Sequence, residues 1–314
     1  MGSFIISGGN TLGGTIKPQG AKNEALQILC ACLLTEDTIN ISNLPDILDV
    51  NNLIELLDGL GVDVKRTSRS DISLTAKNIQ LDYLKSDAFI RRAASLRGSI
   101  MILGPLLARF HKAYLPHPGG DKIGRRRLDT HFIGLQKLGA RFNEDSQNKC
   151  YDITAPNGLA GTYMLLDEAS VTGTANVIMA AVLAQGTTSI FNAACEPYIV
   201  QLCQMLVRMG AQIQGIGSNL LTITGVEKLS GTSHRLLSDM IEVGSFIGMA
   251  AMTRSSIRIA EAGINSLGMI PQVFQKLGIK LHFEDDDIII PQQDSYQVDT
   301  FMDGGIMTIA DAPW

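Results

Sequence analysis

Aromatic residues are scarce. They make up 5% of the 314 residues, with a single tryptophan, so the cores must be built from Leu, Ile, Val, Ala and Met. Cysteine is sparse and odd in number, at Cys30, Cys32, Cys150, Cys195 and Cys203, and no C-x-x-C spacing occurs. Four of the five sit in or beside apolar runs, which predicts buried free thiols rather than disulfides or metal ligands. The five histidines are scattered, without an H-E-x-x-H pair, and no metal site is expected. Long apolar runs are missing as well. A stretch such as "ANVIMAAVLA" is too short to span a bilayer. The opening "MGSFIISGG" lacks the basic and apolar regions of a signal peptide. A cytoplasmic protein with no membrane partner is expected. Positive net charge is absent too. The formal charge of −5 argues against a general nucleic-acid partner, while leaving room for a local anion-binding patch. The glycine-rich stretches "GGNTLGG" and "GGDKIG" do not end in G-K-[ST], and no G-x-G-x-x-G follows a strand, which excludes the usual nucleotide folds.

What the chain does have is a repeat. Four segments share one ending: "GLGVDVKRTSRSDISLTA", "KLGARFNEDSQNKCYDITA", "RMGAQIQGIGSNLLTITG" and "KLGIKLHFEDDDIIIP". Each reads as a helix stopped by glycine and followed by a β-hairpin. The marker glycines, Gly61, Gly139, Gly210 and Gly278, recur roughly every 70 residues, the signature of internal duplication. Each closes a helix with a one-sided apolar stripe. The stripes are Leu53, Leu57 and Leu60; Leu128, Phe132, Leu135 and Leu138; Val200, Cys203, Leu206 and Met209; and Ile270, Phe274 and Leu277. Three units carry a second, more uniformly apolar helix upstream, which belongs inside a domain. In the second unit "FIRRAASLRGSIMILGPLLARF" is expected to supply it. The last residues, "DGGIMTIADAPW", resemble the opening of a further unit. A lone strand cannot bury its apolar face, so the natural protein is expected to continue past Trp314.

Cations and glycines concentrate in "LPHPGGDKIGRRRLDTH", residues 115–131. The stripe beginning at Leu128 predicts a helix whose start carries Arg125, Arg126 and Arg127. Three cations oppose the helix dipole there, unless an anion shares the site with the free backbone N–H groups. Arginine's forked donors suit phosphate or carboxylate. A solvated basic turn is the alternative. Lys22 and Asn23 in "QGAKNEAL" stand where a strand passes into a buried helix, and Arg97 precedes an apolar run. Taken singly, each is as readily a snorkelling or ion-paired side chain.

In order, "GAKNEAL", "LRGSIMILGPLLARF", "LPHPGGDKIGRRRLDTH" and "DEASVTGTANVIMAA" resemble the UDP-N-acetylglucosamine 1-carboxyvinyltransferases, enolpyruvyl transferases of peptidoglycan synthesis. The resemblance runs nearly from end to end. It implies an α/β fold, an inside-out α/β barrel of repeated strand–helix units in two globular domains, the second truncated here. Residues 22–236 would form one complete three-unit domain. Residues 1–21 and 237–314 would belong to the other. It further implies transfer of enolpyruvyl from phosphoenolpyruvate to the 3-hydroxyl of UDP-N-acetylglucosamine, with release of phosphate and with no metal or organic cofactor. By the family pattern, Lys22 and Arg126 hold phosphoenolpyruvate, with Asn23 close by, and Lys22 takes part in catalysis. Arg97, Arg126, Arg127, Leu128, Asp129, Thr130, Ser170 and Val171 would contact the nucleotide sugar. Asp121 would be the proton donor, a position where cysteine is commoner. The aspartate form implies insensitivity to fosfomycin, an epoxide that alkylates the thiol.

The pattern is not matched throughout. Thr172 stands where glycine is usual after Ser-Val, which puts the local backbone contact to the nucleotide in question. The family's general base and a further phosphate-binding arginine fall past "ADAPW", so the 314 residues alone are expected to be inactive. Asp121 has a chemical problem of its own. Lys122 and the arginines would hold its carboxyl ionised. A bound anion and dehydration are needed before it can act as an acid. Other readings are a shikimate 3-phosphate enolpyruvyl transferase, whose G-N-A-G-T-A-x-R signature is missing, and a non-catalytic nucleotide-sugar-binding relative. A nucleic-acid module is disfavoured by the charge.

Overall fold

The computed structural model describes residues 3–119, 127–146, 148–302 and 304–305. The chain divides into two units, Lys22–Leu236 and Met1–Ala21 with Leu237–Trp314.

In chain order the elements begin with β1 (Gly13–Ile16), α1 (Lys22–Ala31), β2 (Ile39–Ser42), α2 (Leu48–Gly59), β3 (Asp63–Arg66) and β4 (Ile72–Thr75). Next come α3 (Asp87–Ser95), α4 (Leu103–Phe110), β5 (Lys112–Pro116), α5 (Asp129–Lys137), β6 (Arg141–Asp145) and β7 (Cys150–Thr154). They are followed by β8 (Tyr163–Leu165), α6 (Val171–Ala181), β9 (Thr187–Phe191), α7 (Pro197–Arg208), β10 (Gln212–Gln214), β11 (Leu220–Thr224) and β12 (Thr232–Arg235). The last are α8 (Met240–Met252), β13 (Ser256–Ile259), α9 (Ile270–Lys276), β14 (His282–Glu284) and β15 (Asp287–Ile290).

The repeat is visible in the backbone. Gly61, Gly139, Gly210 and Gly278 have φ of 99°, 104°, 107° and 85°. Each follows a helix and occupies the left-handed conformation that a residue with a Cβ adopts only at a cost. An antiparallel hairpin follows each one: β3–β4, β6–β7, β10–β11 and β14–β15. Three sheets share one plan, in which the hairpin is extended by an antiparallel strand and then by a parallel one. Their orders are β12-β2-β4-β3, β10-β11-β9-β8 and β1-β13-β15-β14. The first strands of two repeats have changed places. Strand β1 precedes α1 but pairs in parallel with β13, and β12 precedes α8 but pairs in parallel with β2.

The fourth sheet, β5-β7-β6, has three strands and, among the described residues, no parallel edge strand. Beside it the 3-10 turn Leu81–Lys85 reaches across, with Lys85 Nζ 3.2 Å from Asp152 Oδ2 on β7 and 5.1 Å from the Tyr114 ring centre on β5.

The inside-out barrel expected from the resemblance is not found. Among the described residues no sheet closes or curls strongly. Each repeat's hairpin lies in its own open sheet of three or four strands, whereas a closed barrel takes about eight. Among the described residues of Lys22–Leu236, the edge strands of one sheet are not hydrogen-bonded to those of the next. Counting repeats predicts how many sheets there are, but closure depends on whether their edges meet.

Within Lys22–Leu236 the interior is helical. The side chains of Glu24–Ala31 on α1, Leu103–Ala108 on α4 and Gly173–Ala181 on α6 are all buried. Helices α4 and α6 approach closely at Gly104, where an added Cβ would lie 2.3 Å from the Asn176 carbonyl oxygen. The backbone N–H of Gly104 donates to Asn176 Oδ1 at 2.6 Å. Helix α4 supplies the buried helix expected for the second repeat. Cys30, Cys32, Cys150 and Cys203 are buried, Cys195 is half-buried, and all five are free thiols. Burial pushes the Cys32 and Cys203 thiols up to about 12, which makes them packing residues rather than nucleophiles. Among the described residues no helix is long and apolar enough to cross a membrane.

Candidate active site

A cleft of about 560 Å³ in the larger unit is lined by Lys22 and Asn23 from the start of α1, Leu48 and Asp49 from the start of α2, and Arg97 and Gly98 from the 3-10 segment Arg97–Ile102. His131 from α5 and Thr172 from α6 complete the wall, each within the first turn of its helix. First-turn N–H groups have no intrahelical acceptor and form the positive end of the helix dipole. Several such ends meeting beside Lys22 and Arg97 make a cleft suited to anions. Lys22 Nζ forms an ion pair with Asp49. Arg97 Nη2 donates to the Arg127 carbonyl oxygen at 3.2 Å, which ties the two sequence segments together.

The deepest polar group in this wall is His131. It is nearly fully buried. Burial, aided by the charge of Arg97, lowers its pKa to about 3, so the imidazole is neutral at ordinary pH. Its tautomer follows from the neighbours. Asn176 Oδ1 is occupied as the acceptor for Gly104 N–H, so Nδ2 is the donor. That nitrogen donates to the Ile100 carbonyl at 3.0 Å and to His131 Nδ1 at 3.1 Å. Because Nδ1 accepts, the ring proton sits on Nε2, 3.1 Å from Thr172 Oγ1.

The other residues nominated from sequence fall around this cleft in different ways. Lys22, Asn23 and Arg97 line it together. Asp121 and Arg126 lie outside the described residues. The helix predicted to start at the arginines begins instead at Asp129, with Leu128 as its cap residue. An apolar stripe marks the buried face, which can extend past the first hydrogen-bonded turn. The residue in the first turn is therefore an acid, the sign the dipole favours. Arg127 precedes the helix, with Nε 2.8 Å from Asp129 and Nη2 3.5 Å from Asp167. Its half-exposed guanidinium is engaged by carboxylates. Thr130 is buried and its hydroxyl is 3.3 Å from Asp167 and 3.2 Å from Glu168. Ser170 caps α6, its Oγ accepting from Gly173 N–H at 3.2 Å, and Val171 is the first residue of that helix.

His131, Asn176, Asp49 and Asp167 carry no sequence motif that marks them out. The histidine stands in the quoted basic stretch, but its partners are more than forty positions away. Thr172 departs from the family pattern in sequence, and its bond to His131 appears only in the fold.

The fold resembles that of known enolpyruvyl transferases. The enolpyruvyl transferase NikO from Streptomyces tendae superposes with a TM-score of 0.77 at 18% identity, over 91% of this chain and 67% of that one. An EPSP synthase from Acinetobacter baumannii does so with a TM-score of 0.68 at 20% identity, over 91% and 66%. Residues 6–312 match the family described as EPSP synthase (3-phosphoshikimate 1-carboxyvinyltransferase). At the sequence level, UDP-N-acetylglucosamine 1-carboxyvinyltransferases are far nearer. The protein of that name from Bacteroides fragilis is 62% identical, that from Bacteroides thetaiotaomicron 61% and that from Treponema denticola 45%, each over the whole chain and 72% of the relative's length. The chain belongs to the UDP-N-acetylglucosamine 1-carboxyvinyltransferase family.

Proposed function

We propose that the protein transfers the enolpyruvyl group of phosphoenolpyruvate to the 3-hydroxyl of UDP-N-acetylglucosamine and releases phosphate, the first committed step of peptidoglycan synthesis. The observation that carries this reading is the cleft that brings Lys22, Asn23 and Arg97 together among helix starts, in a chain 62% identical to a carboxyvinyltransferase of that specificity. Both substrates are multiply anionic, and such a cleft compensates their charge.

The chemistry is an addition followed by an elimination. The sugar oxygen bonds to C2 of phosphoenolpyruvate and gives up its proton, while C3 takes one. In the second step C3 loses a proton, the bond from C2 to the phosphate oxygen breaks, and phosphate leaves. No electron is gained or lost overall. We assign Lys22 and Arg126 to the phosphoenolpyruvate anion, with Asn23 beside it. Asp121 delivers the proton to C3. Arg97, Arg127, Leu128, Asp129, Thr130, Ser170 and Val171 form the nucleotide-sugar side. What supports these roles is the match of residue types at each motif position, together with the grouping of Lys22, Asn23 and Arg97.

The test is phosphate release by the protein as its gene encodes it. Release from phosphoenolpyruvate should require UDP-N-acetylglucosamine and should not occur with shikimate 3-phosphate in its place. Release with shikimate 3-phosphate, or binding of the nucleotide sugar without any turnover, overturns the proposal.

A further inference from the structure

We infer that Thr172 is a ligand-contacting residue whose hydroxyl donates a hydrogen bond to a phosphate oxygen in the cleft, with His131 and Asn176 as the residues that position it. The inference rests on the anion-binding reading of the cleft and adds a contact to it.

A threonine hydroxyl has one proton to give and lone pairs to accept with. The Nε2 proton of His131 fills an acceptor position of Thr172 Oγ1 at 3.1 Å, as the Gly104–Asn176–His131 chain requires. The hydroxyl's own proton must point elsewhere. Among the described residues no protein acceptor takes it: the only hydrogen bond Thr172 makes through its side chain is the one to His131. In a helix such a hydroxyl commonly turns back to a carbonyl of the preceding turn, and here it does not. Thr172 is half-buried and lines the cleft shared with Lys22 and Arg97, so the remaining donor faces a site whose other charged donors are set for an anion. The imidazole supports this arrangement in only one state. Were His131 protonated, Nδ1 would become a donor facing the Asn176 amide donor. Deep burial beside Arg97 keeps the ring neutral.

The donated bond could go to the diphosphate of the nucleotide sugar or to the phosphate of phosphoenolpyruvate. Kinetics separate the two. In Thr172→Val the methyl volume is retained and the hydroxyl is lost. The expected result is a rise of roughly tenfold in KM for one substrate, with kcat changed less than about threefold, the size of one hydrogen bond to a charged group. A rise for UDP-N-acetylglucosamine, matched in the Kd for UDP measured by calorimetry, assigns the diphosphate. A rise for phosphoenolpyruvate assigns its phosphate. Thr172→Ser should restore most of the loss. His131→Phe should weaken the same substrate, and its effect should not add to that of Thr172→Val, because both remove one interaction. Unchanged KM values in Thr172→Val, with wild-type protein binding both substrates, overturn the inference alone. Absence of nucleotide-sugar binding by wild-type protein overturns the functional reading beneath it.

Discussion

His234 Nε2 lies 2.7 Å from Oε1 of Glu24, and both side chains are buried. On the other side of the ring, Arg208 Nη2 is 2.6 Å from Nδ1. Arginine can only donate, so Nδ1 accepts and the Nε2 proton goes to the carboxylate. One imidazole thus joins an acid on the first turn of α1, a cation at the end of α7, and β12, the strand that has changed places between repeats.

Removing the middle of this relay should be costly, because the buried carboxylate of Glu24 loses its hydrogen-bond donor and the Arg208 guanidinium loses its acceptor. His234→Leu is expected to lower stability by about 3–5 kcal/mol, measured by urea unfolding. Arg208→Met should act in the same direction, and the double variant should lose less than the sum. A loss below about 1 kcal/mol for His234→Leu would mean that the relay does not hold β12 to α1.

Lys22 should behave differently. Its ion pair with Asp49 is between two half-exposed side chains, and such pairs add little to stability. Lys22→Met is expected to shift Tm by no more than about 2 °C while phosphate release falls by at least about 100-fold. Circular dichroism and a phosphate assay on the same preparation check this. A large fall in Tm would assign Lys22 to the scaffold instead.

The neutrality of His131 predicts a pH dependence of stability. Its pKa is about 3 in the folded protein and about 6.5 in an unfolded chain. Between these values the unfolded state binds a proton that the native state refuses, so acid favours unfolding and stability rises with pH. Going from pH 7 to pH 5 should cost wild-type protein about 2 kcal/mol through this group alone. His131→Phe should lack that component when urea midpoints are compared at the two pH values. Parallel losses in the two proteins would show that His131 takes up its proton in the folded state.

Asp121 lies outside the described residues, and its prediction rests on chemistry. A carboxylate is a far poorer trap for an epoxide than a thiolate. Fosfomycin is therefore expected to leave the protein active, and Asp121→Cys should be inactivated with time. If Asp121→Asn keeps kcat and its pH dependence unchanged, Asp121 is not the proton donor.

How much was legible in advance depended on the range of the forces involved. The four marker glycines were readable because each ends a helix by its own backbone angle, a property of one residue. The stripes were readable because periodicity is local, although Ile270, Phe274 and Leu277 of the last one are only half-buried. The start of α5 at Asp129 differs from the position the apolar stripe predicts because burial and hydrogen bonding do not begin at the same residue. Whether the sheets close is not legible in the sequence, because nothing in a single repeat states what its edge strand will meet. Motif resemblance singled out Lys22, Asn23 and Arg97, which line one cleft, whereas the hydrogen bonds of His131 were hidden by partners drawn from distant helices.

Alone, the sequence determined the repeat, the helix stops, the hairpins, the buried thiols and the family, since each is written in residues close together or in ordered motifs. Tertiary structure decided that the sheets stay open, that β1 and β12 exchange places, and that a buried imidazole between Asn176 and Thr172 is neutral with its proton on Nε2. Those outcomes depend on desolvation and on which distant groups are brought within hydrogen-bond reach, and neither exists until the chain has folded.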